Sequence, residues 1–365
     1  MKVIVDDKIP YIREALATMM VDAVYMPGSA IDNTAVRDAD ALIIRTRTRC
    51  DATLLEGSRV QFIATATIGF DHINTAYCDA HGIRWTNAPG CNAASVRQYV
   101  QSALLLLEAE GQLRLSTGTI GVVGVGHVGT LVADMAESWG MRVLRCDPPR
   151  AERGEEGFVS LDTIAREADV VTLHTPLTRE GIHRTYHLAD DDFFASLARK
   201  PYFINTSRGE TTDTAALLRA LHHGQIRQCI IDVWEHEPHI SLPLLERCYI
   251  GTPHIAGYSA DGKANATRMS LEALARHFRL DKVPPITALP PTASSVQAAV
   301  QANTKAEALL HIYNPHRDSQ ALKHHPECFE QLRGDYPLRR EETAYELGNK
   351  CLGVKRPDVL LHIWP

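Results

Sequence analysis

The sequence lacks three features, and each absence argues against a class of protein. The longest apolar run, in SALLLLEA, is too short to cross a bilayer. The eight cysteines are scattered without a CxxC pair, which disfavours a disulfide framework or a zinc site. Basic residues are outnumbered, with 38 Lys and Arg against 44 Asp and Glu, which disfavours nucleic acid and anionic membranes as partners.

The remaining composition is that of an ordinary globular protein. Hydrophobic residues make up 45% of the chain and charged residues 22%. A length of 365 residues allows two or three domains with full cores. The opening MKVIVDDKIP has two aspartates and a proline where a signal peptide needs an apolar stretch. We therefore expect a soluble, cytoplasmic protein.

The first part of the chain alternates strand-like and helical patterns. We expect strands in KVIVDD, ALIIRT, QFIATATIG and GIRWTNAP, separated by helical segments such as IREALATMM. This alternation is typical of parallel βαβ units. A longer helix is predicted in NAASVRQYVQSALLLLEAEG, with Asn92 as its N-cap and Gly111 as its stop.

A second alternating series then begins. Its predicted strands are TIGVVGVG, MRVLRCD, DVVTLHTP, PYFINTSRG, QCIIDVWE and CYIGTPHI. Such continuous apolar runs favour a parallel sheet covered on both faces. The stretch SADGKANATRMSLEALARHFRL predicts one long helix after it.

The proline-rich stretch KVPPITALPPTASS is the clearest linker in the chain. From about residue 290 onward we predict a separate small module. Its apolar stretches LLHIY and VLLHIWP could form a small sheet that pairs with a second subunit. The alternative is a module that packs only on its own chain.

The run from Gly124 to Gly129 has the form GxGxxG in a favourable context. A strand-like TIGVV precedes it, a helical TLVADMAESWG follows, and Asp147 ends the next predicted strand, near the spacing of about 20 residues that dinucleotide sites show. The glycines allow backbone to approach a pyrophosphate at a helix N-terminus. Asp147 would bind the ribose hydroxyls and disfavour a 2′-phosphate, which favours NAD over NADP, although Arg145 and Arg150 lie nearby. The alternative is a glycine-rich turn without a cofactor.

Three polar motifs end later strands: NTSRGE with Arg208, DVWEHEP with Asp232 and Glu237, and TPHIAGY with His254. Oxidation of an alcohol needs a base for the hydroxyl proton, and a histidine oriented by a carboxylate suits that role. An arginine can bind a substrate carboxylate with two hydrogen bonds. Each residue could also be structural or solvated. The segment HEPH permits a metal interpretation through His236, Glu237 and His239, but a fourth clear ligand is lacking.

In that order, GVVGVGHVG, HTPLT, NTSRGE, DVWEHEP and TPHIAG resemble the NAD-dependent D-2-hydroxyacid dehydrogenases over residues 1 to about 280. The resemblance implies that Arg208 binds the substrate carboxylate and that Glu237 pairs with His254, the acid/base. The cofactor-binding positions that it implies are Gly124, Gly126, His127, Val128, Gly129, Asp147, Thr175, Thr206, Ser207, Asp232 and Gly257. The substrate-contact positions are Thr46, Thr67 and Tyr258.

The resemblance also implies an α/β fold with two doubly wound Rossmann-like domains. These are a flavodoxin-like substrate domain, residues 1–97 and 258–282, and an NAD-binding domain, residues 98–257. A small α+β C-terminal dimerisation domain, residues 290–365, would follow. The opening VDDKIPY and the tail stretches YNPHRDSQAL and FEQLRGDYPLRRE resemble one branch of the family, which forms homodimers and acts on a phosphorylated hydroxy acid.

The stretch IIRTRTRC, residues 43–50, could then bind that phosphate. In an extended chain Arg45, Arg47 and Arg49 would share one face. Our hypothesis is that Arg45 or Arg47 binds the phosphate, with Thr46 and Thr67 as hydroxyl donors. The alternative is that these arginines are solvated surface charge. The branch's usual pattern has a serine in place of Thr46 and fewer basic residues beside it.

Two other functions remain open at this stage. The same chemistry could act on 3-phosphoglycerate or an unphosphorylated hydroxy acid. A protein that senses NAD(H) without turnover is the other alternative, although it would not need the set of Arg208, Glu237 and His254.

Overall fold

The computed structural model of the protein describes residues 1–337, 339–345 and 347. These residues form two compact units. The first comprises Met1–Ala93 and Tyr258–Leu289. The second comprises Ala94–Gly257 and the described residues from Pro290 onward. The predicted domain limits stay predictions, but the crossing from the second unit back to the first falls between Gly257 and Tyr258.

The first unit is built on a parallel five-stranded sheet with the order β2-β1-β3-β4-β5. Its strands are β1 (Lys2–Asp6), β2 (Asp22–Met26), β3 (Ala41–Ile44), β4 (Phe62–Thr65) and β5 (Arg84–Thr86). Its helices are α1 (Ile12–Ala17), α2 (Asn33–Val36), α3 (Ala52–Leu55), α4 (Thr75–Ala80) and the long α12 (Ala260–Phe278). This strand order is the flavodoxin-like one.

The strands of the first sheet are apolar throughout because both of their faces are covered. Val3 and Val5 point to a core shared with Leu271 of α12. Ile4, between them, points to a second core with Leu54 of α3. Alternation within a continuous apolar run therefore supplies both faces, as expected for a parallel sheet.

The second unit contains a parallel six-stranded sheet with the order β11-β10-β9-β8-β6-β7. Its strands are β6 (Thr119–Val123), β7 (Arg142–Cys146), β8 (Val170–Leu173), β9 (Tyr202–Asn205), β10 (Cys229–Ile231) and β11 (Ile250–Gly251). Its helices up to β11 are α5 (Ala93–Ala109), α6 (His127–Ser138), α7 (Pro148–Glu152), α8 (Leu161–Glu167), α9 (Asp191–Ala195), α10 (Thr214–His222) and α11 (Leu242–Arg247). The predicted α/β class with two parallel sheets is confirmed.

The described C-terminal residues include four α-helices, and the last two of these helices pack on the second sheet. The four helices are α13 (Ala293–Gln301), α14 (Lys305–Ile312), α15 (Pro315–His324) and α16 (Phe329–Gly334). Leu322 and Phe329 belong to the same buried core as Phe203 and Trp234. The edge strand β11 also donates from Gly251 N to Ser319 Oγ, at 3.0 Å. The C-terminal helices thus share a core with the predicted NAD-binding region.

Three details differ from the sequence prediction or extend it. LLHIY was expected as a strand, but most of it lies in α14, because a short apolar run fits a buried helix equally well. VLLHIWP lies outside the described residues. Helix α5 follows Asn92, yet the buried Asn92 Oδ1 accepts no hydrogen bond within the described chain and so does not cap it. Gly111, with φ of 70°, follows the helix as predicted.

Within the part of the chain that the structure describes, no helix is both long enough and apolar enough to cross a membrane. A cytoplasmic location stays a prediction.

Candidate active site

In the second unit, the order of strands reverses between β6 and β8, and ligands of open parallel sheets bind at such a switch point. Gly124 follows β6 with φ of 84°. A Cβ at Gly124 would lie 2.8 Å from the backbone of His174, which follows β8. The two loops at the switch point therefore touch through backbone, and only glycine fits there.

The glycine-rich turn leads into α6 with space at its N-terminus. A Cβ on Gly129 would lie 2.0 Å from the Gly124 carbonyl oxygen, so the helix packs directly on the turn. Gly126 is the N-cap of this helix. Apart from its two adjacent residues, no described residue has an atom within 4 Å of the position that a Cβ on Gly126 would take. His127 and Val128 open the helix with N–H groups that lack helical partners. This arrangement fits a dinucleotide pyrophosphate.

Asp147 follows β7 and is partly exposed. Its Oδ2 accepts a hydrogen bond from Val125 N at 2.8 Å, which ties it to the glycine-rich turn. Arg145 pairs with Glu137 at 2.8 Å, and Arg150 pairs with Glu155 at 2.6 Å. Because both neighbouring arginines have acidic partners, the carboxylate of Asp147 remains suited to ribose hydroxyls.

The hydroxyl of Thr175, beside Gly124, has no partner among the described residues, and a bound cofactor would supply one. Its Oγ1 is buried and makes no hydrogen bond within the described residues, and a buried hydroxyl normally has a partner. Thr206 Oγ1 bonds His174 Nδ1 at 3.3 Å. Burial lowers the pKa of His174 to about 3, so this histidine stays neutral. The hydroxyl of Ser207 donates to Asn205 Oδ1 at 2.8 Å, so its contact with the cofactor stays a prediction.

Glu237 and His254 form a hydrogen-bonded pair. Glu237 Oε2 lies 2.8 Å from His254 Nδ1, while Oε1 accepts from Trp234 N at 2.9 Å. Since an ionised carboxylate only accepts, Nδ1 carries the proton and Nε2 of neutral His254 is left as a base. The metal interpretation would need the same two oxygens of Glu237. Among the described residues, no group of three His, Cys, Asp or Glu side chains is arranged to hold a metal ion.

The charge state of Glu237 follows from its surroundings. Burial alone would raise the pKa of Glu237. The hydrogen bond and charge of His254, the N–H of Trp234 and the charge of Arg333 together hold this pKa below its ordinary value. Glu237 is therefore ionised at neutral pH and can stabilise a protonated His254.

Asp232 anchors the backbone that carries His254. Its Oδ1 accepts from Ile255 N at 2.8 Å, and its Oδ2 accepts from Ala256 N at 2.9 Å. Its carbonyl accepts from His254 N, also at 2.8 Å. Asp232 is buried, with 1% of its surface exposed. The side chain is thus fully used in holding the loop, and its predicted contact with the cofactor stays a prediction.

Arg208 is half-buried just after β9, and its Nη1 donates to the Ser207 carbonyl at 2.8 Å. A Cβ on Gly209 would lie 2.0 Å from the backbone of Trp234. This close approach places the segment of Arg208 directly against the segment that leads to Glu237. Since Glu237 is also hydrogen-bonded to His254, the structure brings together the segments of all three predicted catalytic residues.

In the first unit, the arginine stretch does not continue the strand. β3 ends at Ile44, and Thr48 N donates to the Arg45 carbonyl at 3.2 Å, which closes a turn. The expectation that Arg45, Arg47 and Arg49 share one face of an extended chain is wrong, because this turn breaks the alternation. Arg49 is exposed and pairs with Asp51 at 2.9 Å, which matches the solvated alternative for that residue.

Arg45 lies at the switch point of the first sheet, between β1 and β3. Its Nε and Nη2 donate to the two oxygens of Asp6, at 3.2 and 3.3 Å. Asp6 ends β1 and has no exposed surface. The buried carboxylate therefore fixes the guanidinium, whose Nη1 makes no hydrogen bond within the described residues.

Lys263, in the first turn of α12, is a charged residue that the sequence interpretation missed. Its Nζ lies 4.8 Å from the centre of the Tyr258 ring. Burial and then the charge of Arg45 lower the pKa of Lys263, which shows that the two cations are close. No carboxylate of the described residues lies within ion-pair distance of this ammonium group. Thr67, after β4, donates to the Gly69 carbonyl at 2.8 Å and bonds Thr65 Oγ1 at 2.6 Å.

Comparison with known families agrees with this geometry. Residues 94–256 match the D-isomer specific 2-hydroxyacid dehydrogenase, NAD binding domain, and residues 288–364 match a domain of unknown function, DUF3410. The erythronate-4-phosphate dehydrogenase of Bacteroides thetaiotaomicron is 57% identical over 356 residues, which are 97% of this chain and all of that protein. The chain belongs to the erythronate-4-phosphate dehydrogenases. This branch lies within the D-2-hydroxyacid dehydrogenase family.

Other members of the family show the same relation. The erythronate-4-phosphate dehydrogenase of Bacteroides fragilis is 59% identical over 348 residues, covering 95% of this chain and 99% of that protein. The crystal structure of D-lactate dehydrogenase from Aquifex aeolicus, complexed with NAD and lactic acid, is 25% identical with a TM-score of 0.61. It covers 76% of this chain and 96% of that one. A bound NAD in that dehydrogenase agrees with the cofactor predicted from the glycine-rich turn.

The glycine-rich turn allows fold and cofactor binding to be tested separately. We expect Gly126→Ala to leave the melting temperature without NAD unchanged, because its Cβ meets no protein atom. The methyl group would occupy the space of the pyrophosphate, so the affinity for NAD should fall roughly tenfold or more. Calorimetric titration with NAD measures this.

Gly129→Ala is the matched comparison, since its Cβ would collide with the Gly124 carbonyl oxygen. It should lower the melting temperature before any cofactor is added. NAD affinity of Gly126→Ala equal to the wild-type value would contradict the placement of the pyrophosphate.

Proposed function

We propose that the protein oxidises the C2 hydroxyl of 4-phospho-D-erythronate, with NAD as the acceptor, to (R)-3-hydroxy-2-oxo-4-phosphooxybutanoate. The step belongs to pyridoxal 5′-phosphate biosynthesis, in the cytoplasm. The observation that carries the proposal is the hydrogen-bonded pair of Glu237 and His254, in a chain 57–59% identical to erythronate-4-phosphate dehydrogenases.

The cofactor would be held by residues at the switch point of the second sheet. We assign the pyrophosphate to the glycine-rich turn and the adenosine ribose to Asp147. The remaining contacts that we propose are those of Thr175, Thr206, Ser207, Asp232 and Gly257. When bound, NAD supplies the acceptor for the hydride that leaves C2.

His254 acts as the base in this proposal. Its Nε2 takes the proton of the C2 hydroxyl, and the proton on Nδ1 stays in the hydrogen bond with Glu237. The ionised Glu237 stabilises the imidazolium that forms and keeps the ring oriented. Arg208 binds the substrate carboxylate with its guanidinium. In the reverse direction, the protonated His254 returns the proton to the C2 oxygen.

The phosphate end of the substrate requires a second cationic group. Our hypothesis from the sequence is that Arg45 or Arg47 binds this phosphate; we extend it here to both arginines and add Lys263. Three observations support the choice. Arg45 is fixed by Asp6, and the charge of Arg45 lowers the pKa of Lys263. The Nζ atom of Lys263 also lies over the Tyr258 ring. Two neighbouring cations with one buried carboxylate leave a positive charge that an anion would neutralise. Thr46, Thr67 and Tyr258 stay predicted substrate contacts.

His254→Ala tests the proposed base. We expect kcat with 4-phosphoerythronate to fall roughly 10²- to 10⁴-fold, since a general base contributes that much. The measurement is NADH formation, with the 2-oxo product detected directly. His239→Ala is the matched control, because His239 is exposed and lies only two residues from Glu237. Near-normal turnover of His254→Ala would refute the assignment, and loss of activity in His239→Ala would revive the metal interpretation.

Arg47→Ala and Lys263→Met test the phosphate contacts. Each should lower kcat/KM for 4-phosphoerythronate roughly 10- to 100-fold, the value of a lost charge-assisted hydrogen bond. Neither should affect the slower reaction with erythronate, which has no phosphate. Arg49→Ala is the control, because Arg49 is exposed and pairs with Asp51. Arg45 is left intact, since its removal would strand the buried Asp6. Equal losses with both substrates would show that these cations do not bind the phosphate.

We also propose that two copies of the chain form a homodimer through the C-terminal region. The support is the resemblance of the tail to a dimerisation domain and the exposure of the apolar side chain of Val300 in α13. Truncation at residue 290 is not a clean test, because Leu322 and Phe329 lie in the core of the second unit. We expect sedimentation velocity of the full chain to give about twice the chain mass of 40.4 kDa. A single species of monomer mass at high concentration would contradict the proposal.

A further inference from the structure

The C-terminal region reaches the catalytic pair through two arginines. We infer that Arg339 and Arg333 are positioning residues for His254 and Glu237, so that the domain of unknown function takes part in setting up the catalytic site. This inference rests on the proposed dehydrogenase function. Neither arginine is assigned a role by the family motifs described above.

Arg339 binds the backbone on the C-terminal side of His254. Its Nη1 donates to the Ile255 carbonyl at 3.1 Å, and its Nη2 donates to the Ala256 carbonyl at 2.6 Å. Nη2 also donates to the Ser95 carbonyl of α5, at 3.2 Å. One guanidinium therefore links the two residues that follow His254 to a buried helix.

The same two residues are held from the other side by Asp232. The N–H groups of Ile255 and Ala256 donate to the Asp232 carboxylate, while their carbonyls accept from Arg339. His254 itself has φ of 56°, in the left-handed region that a histidine seldom adopts. Such a conformation persists only where its surroundings determine it. Asp232 accepts three of the hydrogen bonds that hold residues 254–256, and Arg339 donates two more.

The position of Arg339 is itself fixed. Its guanidinium lies 3.9 Å from the centre of the Tyr313 ring, and its Nε donates to Gln98 Oε1 at 3.2 Å. The adjoining segment follows α5: Ser95 Oγ donates to Glu341 Oε1 at 3.0 Å, and Arg97 pairs with Glu342 at 2.8 Å. We call residues 339–342 the C-terminal strap. A lysine at position 339 would carry its three donors on one nitrogen and could not span acceptors that Arg339 binds from three nitrogens.

Arg333, in α16, acts on the charge of the pair. Its Nη1 lies 3.9 Å from Glu237 Oε2, the oxygen that accepts from His254. The charged groups for which the structure gives an interaction with the pair are Arg333 and Asp232. A cation at this distance stabilises the ionised carboxylate and opposes uptake of a further proton by the pair. Arg333 thus helps to keep Glu237 ionised, the state in which this carboxylate orients and stabilises His254.

Arg339→Met tests the first contact with two readouts. Hydrogen exchange of the amides in residues 254–258 should become about tenfold faster or more, the effect of losing hydrogen bonds to a charged group. kcat per folded molecule should fall roughly 10²-fold, because a small misplacement of the base has that effect. Arg317→Met is the matched control, since Arg317 is an exposed arginine of the same region. Exchange and kcat equal to the control would overturn the role of Arg339.

If Arg339→Met does not fold, Arg339→Lys is measured in the same way. This variant keeps the positive charge but loses the planar set of guanidinium donors. We therefore expect the same faster exchange and the same lower kcat, and wild-type values of both would overturn the inference. The exchange measurement does not depend on the reaction. If the wild-type protein oxidised no hydroxy acid, the proposed function would fail. Hydrogen exchange of the amides in residues 254–258 would still test whether Arg339 holds this backbone.

Arg333→Met tests the second contact. The acidic limb of the profile of kcat/KM against pH should move to higher pH, because Glu237 takes up a proton more easily without the cation. Arg333→Lys keeps the charge and should retain the wild-type limb, a result that loss of packing alone would not produce. A profile of Arg333→Met that superimposes on the wild type would overturn the role of Arg333. Each arginine is therefore judged separately.

Discussion

The left-handed backbone at His254 is the constraint on which the proposed catalytic pair of the second unit depends. A non-glycine residue in this region costs about 1–3 kcal/mol, which other interactions must offset. Asp232 does so with three acceptors, its carbonyl for the N–H of His254 and its two carboxylate oxygens for the next two N–H groups. Three successive amide groups donate to this one buried aspartate, so the backbone of residues 254–256 is fixed. The fixed backbone directs the imidazole of His254 at Glu237.

The two sheets place polar groups at their switch points in different ways. In the second unit, the turn at Gly124 presents backbone N–H groups, and the buried hydroxyl of Thr175 lies beside it. In the first unit, a charged pair occupies the equivalent place, with Asp6 at the end of β1 and Arg45 after β3. A nucleotide requires a surface that backbone can approach closely, whereas a phosphate on a small acid is better bound by a fixed guanidinium.

Continuous apolar runs made most of the fold predictable, because a strand that is buried on both faces consists almost entirely of apolar residues. The order of the motifs likewise predicted that Glu237 and His254 lie together, since the carboxyl ends of parallel strands meet at one edge, while their catalytic roles stay predictions. Local geometry was less accessible. The turn after Ile44 overrides the alternation of RTRTR, and Asn92 precedes a helix that it does not cap. In neither case does the short-range pattern alone determine the local geometry.

The contacts of the tail were beyond prediction for a different reason. Ser95, Gln98 and Gln101 lie at helical spacing in α5 and would pass for a solvated face, yet all three are buried. Buried polar groups need hydrogen-bond partners. The C-terminal strap, residues 339–342, supplies these partners although it lies more than 200 positions away in the sequence. A polar stripe on a helix predicted to be buried is therefore a signal in itself. It indicates that another polar segment covers the helix, and here that segment also holds the residues next to His254.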